Sequence, residues 1–415
     1  MKSIICFGLL LFALACDSSQ NFNHVESIDF DKNLDKFIDL PLSSITDGIR
    51  YIPLETSKQC VIPTINNVLL EDDTIIVSGY NFCKSFNIEG RFIGNIGKTG
   101  KGPGEYAYVS ELTIDHHTNT LYISCGKKIE AYSLSGKFKG TIYLPKEADS
   151  NGYYLGSDAF CSIIPVHRGN EEKSIVFFNN KGSVLNVIPN FHKFNRDANF
   201  ISSEDQGIIR QGFDNEFYYK GGICDTIFCI EKDFKLTPSF YLNMGKYRMP
   251  LEVISGSQEN YLANLNNYIL LKSFINIKEG ICFTFHFNKY LKENESESQH
   301  VVVFGKHAEI SSTKVAGYYD KQKSKLVFLK GSYGLIGFNN DLDGGLPFWP
   351  QSIGSKNELL TWFSAEDIKE SLTEEQLRKA AAKDSKAKEQ LLNIISSLDP
   401  SDNPVIVTAS KIKDF

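Results

Sequence analysis

The chain lacks the short strings that mark many enzymes and metal proteins. Its 415 residues hold no Cys-x-x-Cys, no His-Glu-x-x-His and no Gly-x-Ser-x-Gly. Thiol redox pairs, zinc ribbons, helix-borne zinc proteases and nucleophile-elbow hydrolases therefore have no motif here. A basic surplus is missing too: 44 Lys and Arg stand against 50 Asp and Glu, for a net charge of −6. Phosphate backbones are held by clustered Lys and Arg, so nucleic acid is not an expected partner. Seven cysteines follow Cys16, at positions 60, 83, 125, 161, 224, 229 and 282. An odd count without paired spacing is no disulfide framework. Cys83, Cys125 and Cys229 lie in or beside apolar strands and read as small buried hydrophobes. Methionine is scarce at 3 residues, whereas Phe and Tyr number 30 and 19, a balance that favours strands over helix bundles.

What the sequence does have is a repeat. An aromatic residue is followed four places later by glycine, and a second apolar residue comes two places after that. Phe86, Gly90 and Phe92 form this pattern, which returns 46 residues later as Tyr132, Gly136 and Phe138, and after another 46 as Phe178, Gly182 and Val184. The strand 74–78 also returns 46 residues on as 120–124. Between Ile65 and Ile96 four strand-like segments are broken by turn residues, and four short antiparallel strands make one propeller blade. The aromatic at the end of the third strand is followed onward through Phe228, Phe285 and Phe338, giving six blades. The polar run Lys292 to His300 lengthens blade five as a hairpin insertion. The expected fold is all-β, a six-bladed β-propeller of four-stranded antiparallel blades with a C-terminal helical insertion before its closing strand.

Residues 1–15 form a secretory signal, with Lys2 ahead of an apolar run that is shorter than a membrane span. Ala13-Leu14-Ala15-Cys16 resembles a bacterial lipobox, which implies cleavage before Cys16 and lipidation there. Residues 16–45 are expected to be a tether and 46–415 the propeller. The helical segment covers 364–398: Thr373 and Gln376 form a capping box, Leu372 and Leu377 a hydrophobic staple, and one helix runs from Glu374 to Ser397 ahead of Pro400. Its apolar stripe, Leu391 to Leu398, is expected on the propeller's own face. Strand 404–413 then pairs near Ile49 to Leu54 and closes the ring.

Two glycine-bearing stretches invite a chemical reading. Gly94 to Tyr106 contains Gly97-Lys98-Thr99, but Phe92 stands where a phosphate loop needs glycine. It reads as a connection between blades in which Gly100, Gly102 and Gly104 allow positive φ and Pro103 fixes the turn. The run from Asn339 to Gly344 alternates oxygen side chains before a glycine as a calcium loop does, but Pro350 occupies the closing acidic position. A turn satisfied by Asn340, Asp341 and Asp343 is the expected reading, with no metal and no cofactor. His116 and His117 lie in a polar turn after Asp115, and Asp72-Asp73 at a hairpin tip.

The chain resembles the six-bladed propeller lipoproteins of Bacteroidetes, relatives of NHL-repeat and TolB-like propellers. The resemblance rests on Gly102-Pro103-Gly104-Glu105-Tyr106, on Asp225-Thr226-Ile227-Phe228, on Asn340-Asp341-Leu342-Asp343-Gly344-Gly345-Leu346-Pro347 and on Asn403-Pro404-Val405. It covers residues 28 to 413 and implies a propeller outside the cytoplasm, without an agreed activity. Cys224 and Phe228 stand where the family more often has Asn and Tyr. The expected function is that of a monomeric, lipid-anchored binding or scaffold protein for a glycan, peptide or protein. A hydrolase or lyase with its site at the mouth of the central channel is the alternative.

Overall fold

The computed structural model describes residues 25–34, 37–196, 206–287, 297–303, 306–312, 314–331 and 335–411. Six four-stranded antiparallel units follow one another around a ring. Their innermost strands are Asn67–Glu71, Glu111–Asp115, Tyr153–Gly156, Ile208–Gln211, Leu270–Asn276 and Ser352–Ile353. This is the expected six-bladed β-propeller. Alternation of side chains along each strand sends successive residues to opposite faces of a blade, so each blade packs on both neighbours. In Val405–Ser410 of blade six, Val405 and Val407 enter the core shared with blade five, while Ile406 enters the core shared with blade one. Separate apolar clusters fill the interfaces between consecutive blades in the same way. Phe86, Tyr132 and Phe178 all sit on third strands and all point toward the preceding blade, which is why that aromatic recurs.

The ring closes as the sequence implies. Val405–Ser410 pairs antiparallel with Gly48–Pro53 over six residue pairs, from Val405 opposite Pro53 to Ser410 opposite Gly48. Blade six thus takes its outer strand from the start of the chain. The hairpin Glu297–Val303 with Lys306–Ser312 is inserted between the second and third strands of blade five. Residues 292–296 of the expected insertion, residues 412–415 and Cys16 lie outside the described residues.

Four expectations need correction. Residues 26–45 are not a free tether. Glu26–Asp29 runs parallel to the outer strand of blade four, and Phe37–Ile38 runs parallel to that of blade five, so the chain covers two exposed sheet edges before it enters the ring. Phe285 lies on the second strand of blade five, Gly280–His286, because the inserted hairpin delays the third strand, Lys314–Asp320. Phe338 lies between blades five and six, bridged to Phe348. The single long helix from Glu374 to Ser397 is instead two, Glu374–Lys379 and Ser385–Ser397, with a further helix, Ala365–Ser371, before them.

The capping box of Thr373 and Gln376 is present, and Leu372 and Leu377 are buried together. The break follows at Ala380, because Lys383 and Asp384 donate their backbone N–H groups to the carbonyls of Asp341 and Leu342. Asp384 then caps the next helix by accepting from Lys386 and Ala387. Leu391, Ile395 and Leu398 face the ring's core as expected.

Candidate functional site

In an antiparallel blade the turns after the first and third strands lie on one face of the ring, and the other connections lie on the opposite face. The first kind are short here, such as 71 to 74 and 87 to 92. The second kind include the long ones, 243 to 270, 329 to 352 and both insertions. A cavity of about 690 Å³ occupies the central channel on the long-connection side, within the size range of small-molecule sites. Innermost strands of all six blades line it, joined by Trp349, Gln351 and Asp367 from the long connections.

Four of those blades are linked by side chains inside the channel. The Tyr153 hydroxyl of blade three donates to Glu111 Oε1 of blade two at 2.9 Å. Arg210 of blade four acts on Glu111 through its charge and donates from Nε to Ser273 Oγ of blade five at 3.2 Å. Its Nη1 donates to the carbonyl of Ile209 at 2.9 Å, which holds the guanidinium against its own strand. Trp349 Nε1 donates to Thr284 Oγ1 at 2.8 Å, and Gln351 Nε2 to Thr361 Oγ1 at 3.1 Å. Burial raises the Glu111 carboxyl above its ordinary range, against the opposing pull of Arg210 and Tyr153. Burial, followed by the charge of Glu111, pushes the Tyr153 phenol well up. Lys272 and Lys314 also line the channel. Behind them His286 is pushed down to about 4, first by burial and then by those two lysines, so the imidazole is neutral at pH 7. A site of this kind can orient a polar or anionic ligand. Its buried carboxyl, Glu111, holds a proton more readily than an exposed one.

The motif residues singled out in the sequence lie elsewhere and act on the backbone. Gly102, Pro103, Gly104, Glu105 and Tyr106 form the connection from blade one to blade two. Glu105 accepts from the Gly102 N–H at 2.9 Å and pairs with Lys98 at 2.9 Å. Tyr106 is buried and donates its hydroxyl to the carbonyl of Ile96 at 3.0 Å. Gly104 adopts φ +66°, but Gly100 and Gly102 do not use positive φ. The Glu105 carboxylate packs against Gly100, where a Cβ would meet Oε2 at 2.0 Å and displace that side chain.

Asp225 pairs with Arg248, and the Thr226 N–H donates to Cys224 Sγ at 3.4 Å. Asp341 accepts from the N–H and hydroxyl of Ser43 at 2.9 and 2.6 Å and pairs with Lys383 at 2.8 Å. Asn340 donates to the Tyr51 hydroxyl at 3.1 Å, and Asp343 accepts from the Gly345 N–H at 2.7 Å. Gly344 turns the chain at φ +81° with only 2.6 Å between its missing Cβ and that of Ala380. This turn is a seat for the helical insertion. Among the described residues no three His, Cys, Asp or Glu side chains gather as a metal would require.

Glu111, Tyr153, Arg210 and Ser273 were not singled out in the sequence. The available signal is a charged residue at the innermost strand of a blade, as in Glu111-Leu112-Thr113 and Ile209-Arg210-Gln211, where a blade interior would otherwise alternate apolar residues.

Fold and cavity together define a six-bladed propeller with a polar site in its channel. Residues 25–410 match the family described as a domain of unknown function, DUF4934. The chain belongs to that family. Among solved structures, a Bacteroides fragilis protein described only as a presumptive exported protein aligns with a TM-score of 0.64. It is 16% identical, over 93% of this chain and 99% of its own. A DUF4221 member from Bacteroides vulgatus aligns at 0.50 with 9% identity, over 90% and 98%. At these identities the likeness establishes the fold alone. No protein of curated function matches the chain. Among the described residues no helix is long and apolar enough to cross a membrane.

Proposed function

We propose that this protein is an extracytoplasmic binding protein whose ligand enters the channel from the long-connection face. The observation that carries this reading is convergence: all six blades line one cavity, and side chains from four of them are linked across it. Export is supported by the N-terminal signal and by the Bacteroides fragilis relative. A lipid at Cys16 suits this arrangement. Glu26 lies at the short-turn face, where its Oε1 accepts from Ser324 Oγ at 2.9 Å in the turn of blade five. An anchor reached through that end leaves the channel mouth facing away from the membrane.

The test is a thermal-shift and tryptophan-fluorescence screen of the purified protein against sugars and peptides. Both tryptophans line the cavity, and a ligand of the folded state raises its apparent stability. The expected result is a ligand whose effect is lost in Glu111→Gln and Arg210→Gln. Binding that both variants retain would move the site elsewhere, and a blank screen across both classes would count against the reading. The hydrolase or lyase alternative is favoured by one observation, the raised Glu111 carboxyl against the Tyr153 hydroxyl. Product release lost in Glu111→Gln would establish it.

A further inference from the structure

The charges around the channel are uneven, and the unevenness opposes that of the whole chain. The protein carries a net −6. The channel lining holds three cations, Arg210, Lys272 and Lys314, against two carboxylates, Glu111 and Asp367. All three cations come from blades four and five. Glu111 already accepts the Tyr153 hydroxyl, and Asp367 sits at the outer end, at the start of the helical insertion. Arg210 is held from behind by Ser273 and the Ile209 carbonyl through Nε and Nη1. This leaves Nη2 without a hydrogen-bond partner among the described residues. Burial first, and then the charges of Lys272 and Lys314, disfavour a proton on the neighbouring His286.

Across the channel the lining changes character. Asn66, Asn67, Ser110 and Thr113 come from blades one and two, and Gln351 and Ser352 from the approach to blade six. Amides and hydroxyls both donate and accept, as the hydroxyls of a sugar ring do. Cations on one wall and amides on the other match a ligand that carries a carboxylate at one edge and hydroxyls at the other. In a channel bounded by protein, such charge pairing is worth more than at an open surface.

Building on the reading that the ligand enters the channel, we infer that this ligand is an acidic oligosaccharide whose carboxylate docks on Arg210 of blade four. Guanidinium and carboxylate pair through charge-assisted hydrogen bonds, and Lys314 at the exposed rim adds long-range attraction.

The test is titration of the purified protein by calorimetry and tryptophan fluorescence with three probes. These are a trigalacturonate, its fully methyl-esterified form and a tripeptide of glutamate. The inference expects the acid to bind about tenfold or more tightly than the ester, with affinity that falls as salt rises. Arg210→Gln should lower acid binding by about tenfold or more and remove most of the preference for acid over ester. Lys314→Gln, at an exposed position that folding does not need, should weaken acid binding in the same direction. Equal binding of acid and ester would overturn the charge inference and leave the channel-binding reading standing. Tighter binding of the glutamate peptide would overturn the oligosaccharide assignment. Failure of all three probes, when a neutral ligand from the screen does bind, would overturn the inference alone. Failure of every ligand in both experiments would sink the two together.

Discussion

Removing the closing strand should unseat the whole ring, and the size of the effect follows from its position. Val405–Ser410 is bonded on one side to Leu359–Phe363 and on the other to Gly48–Pro53. Val405 and Ile406 are 0% exposed and Val407 is 1% exposed. Losing three such side chains costs about 1.5–3 kcal/mol each, or about 5–9 kcal/mol together. The backbone groups of two partner strands lose their bonds as well. Truncation after Asp402 also removes Asn403, whose Oδ1 accepts from the Ile62 N–H at 2.8 Å. Its Nδ2 donates to the carbonyls of Glu55 and Cys60 at 2.6 and 2.8 Å. Against a total stability of about 5–15 kcal/mol for a typical domain, the truncated protein should be largely unfolded. Urea unfolding followed by tryptophan fluorescence measures it. A finer probe is Ile406→Ala, which empties the core between blades six and one and should cost about 2–5 kcal/mol. A truncated protein with the same unfolding midpoint as the full chain would refute the reasoning, because it would mean the seam carries no stability.

The remaining predictions concern single side chains. Asp343 is fully buried with one oxygen unpaired, and burial raises its carboxyl to about 6 from an ordinary 3.8. The folded state then holds this proton more tightly than the unfolded state. Its contribution to stability falls as pH rises from about 4 to about 6, by about 3 kcal/mol in all, and is level above that. Asp343→Asn should flatten this slope in a denaturation series from pH 4 to 7, and an unchanged slope would contradict the assignment. Asp341→Asn weakens the bonds to Ser43 and Lys383 and should cost about 1–2 kcal/mol, equally with calcium and with chelator. A melting temperature that rises with calcium in the parent and not in the variant would argue for a metal loop instead. Cys16→Ser should move the protein from the membrane fraction to the soluble fraction with loss of acyl labelling, and retention in the membrane would exclude a lipid anchor at that residue.

The sequence made legible whatever repeats within a blade. The 46-residue step from Phe86 to Tyr132 to Phe178 exists because each third strand must send a large ring into the preceding interface. The closing strand was legible for a related reason, since an open ring leaves two unpaired edges. Phe285 and Phe338 misled because insertions shift the strand count while leaving an aromatic at nearly the right distance. The helix break at Ala380 depends on carbonyls of Asp341 and Leu342, some 40 residues away in sequence, and helical periodicity carries no trace of that. The channel site was illegible for the same physical reason on a larger scale. Glu111, Tyr153, Arg210 and Ser273 meet because four strands reach one axis in a particular register. Each of the four alone is an ordinary polar residue on an innermost strand.

The direction of the chain also decides where specificity can be built. A loop inserted after any second strand must emerge on the face that carries the fourth-to-first connections, because antiparallel strands leave it no other side. The hairpin of blade five and the helices of blade six are both such insertions, and both therefore rise beside the channel mouth. The helices reach it directly: Asp367 lines the cavity, while Leu391 and Ile395 stay in the core below. The interfaces that hold the ring are made by strand residues, and lengthening a surface connection costs little stability. The mouth can thus be remodelled without disturbing the blades. The opposite face keeps its short turns and receives the incoming chain at Glu26. One end of the ring is fixed by how the chain enters, and the other is the end at which a ligand can be met.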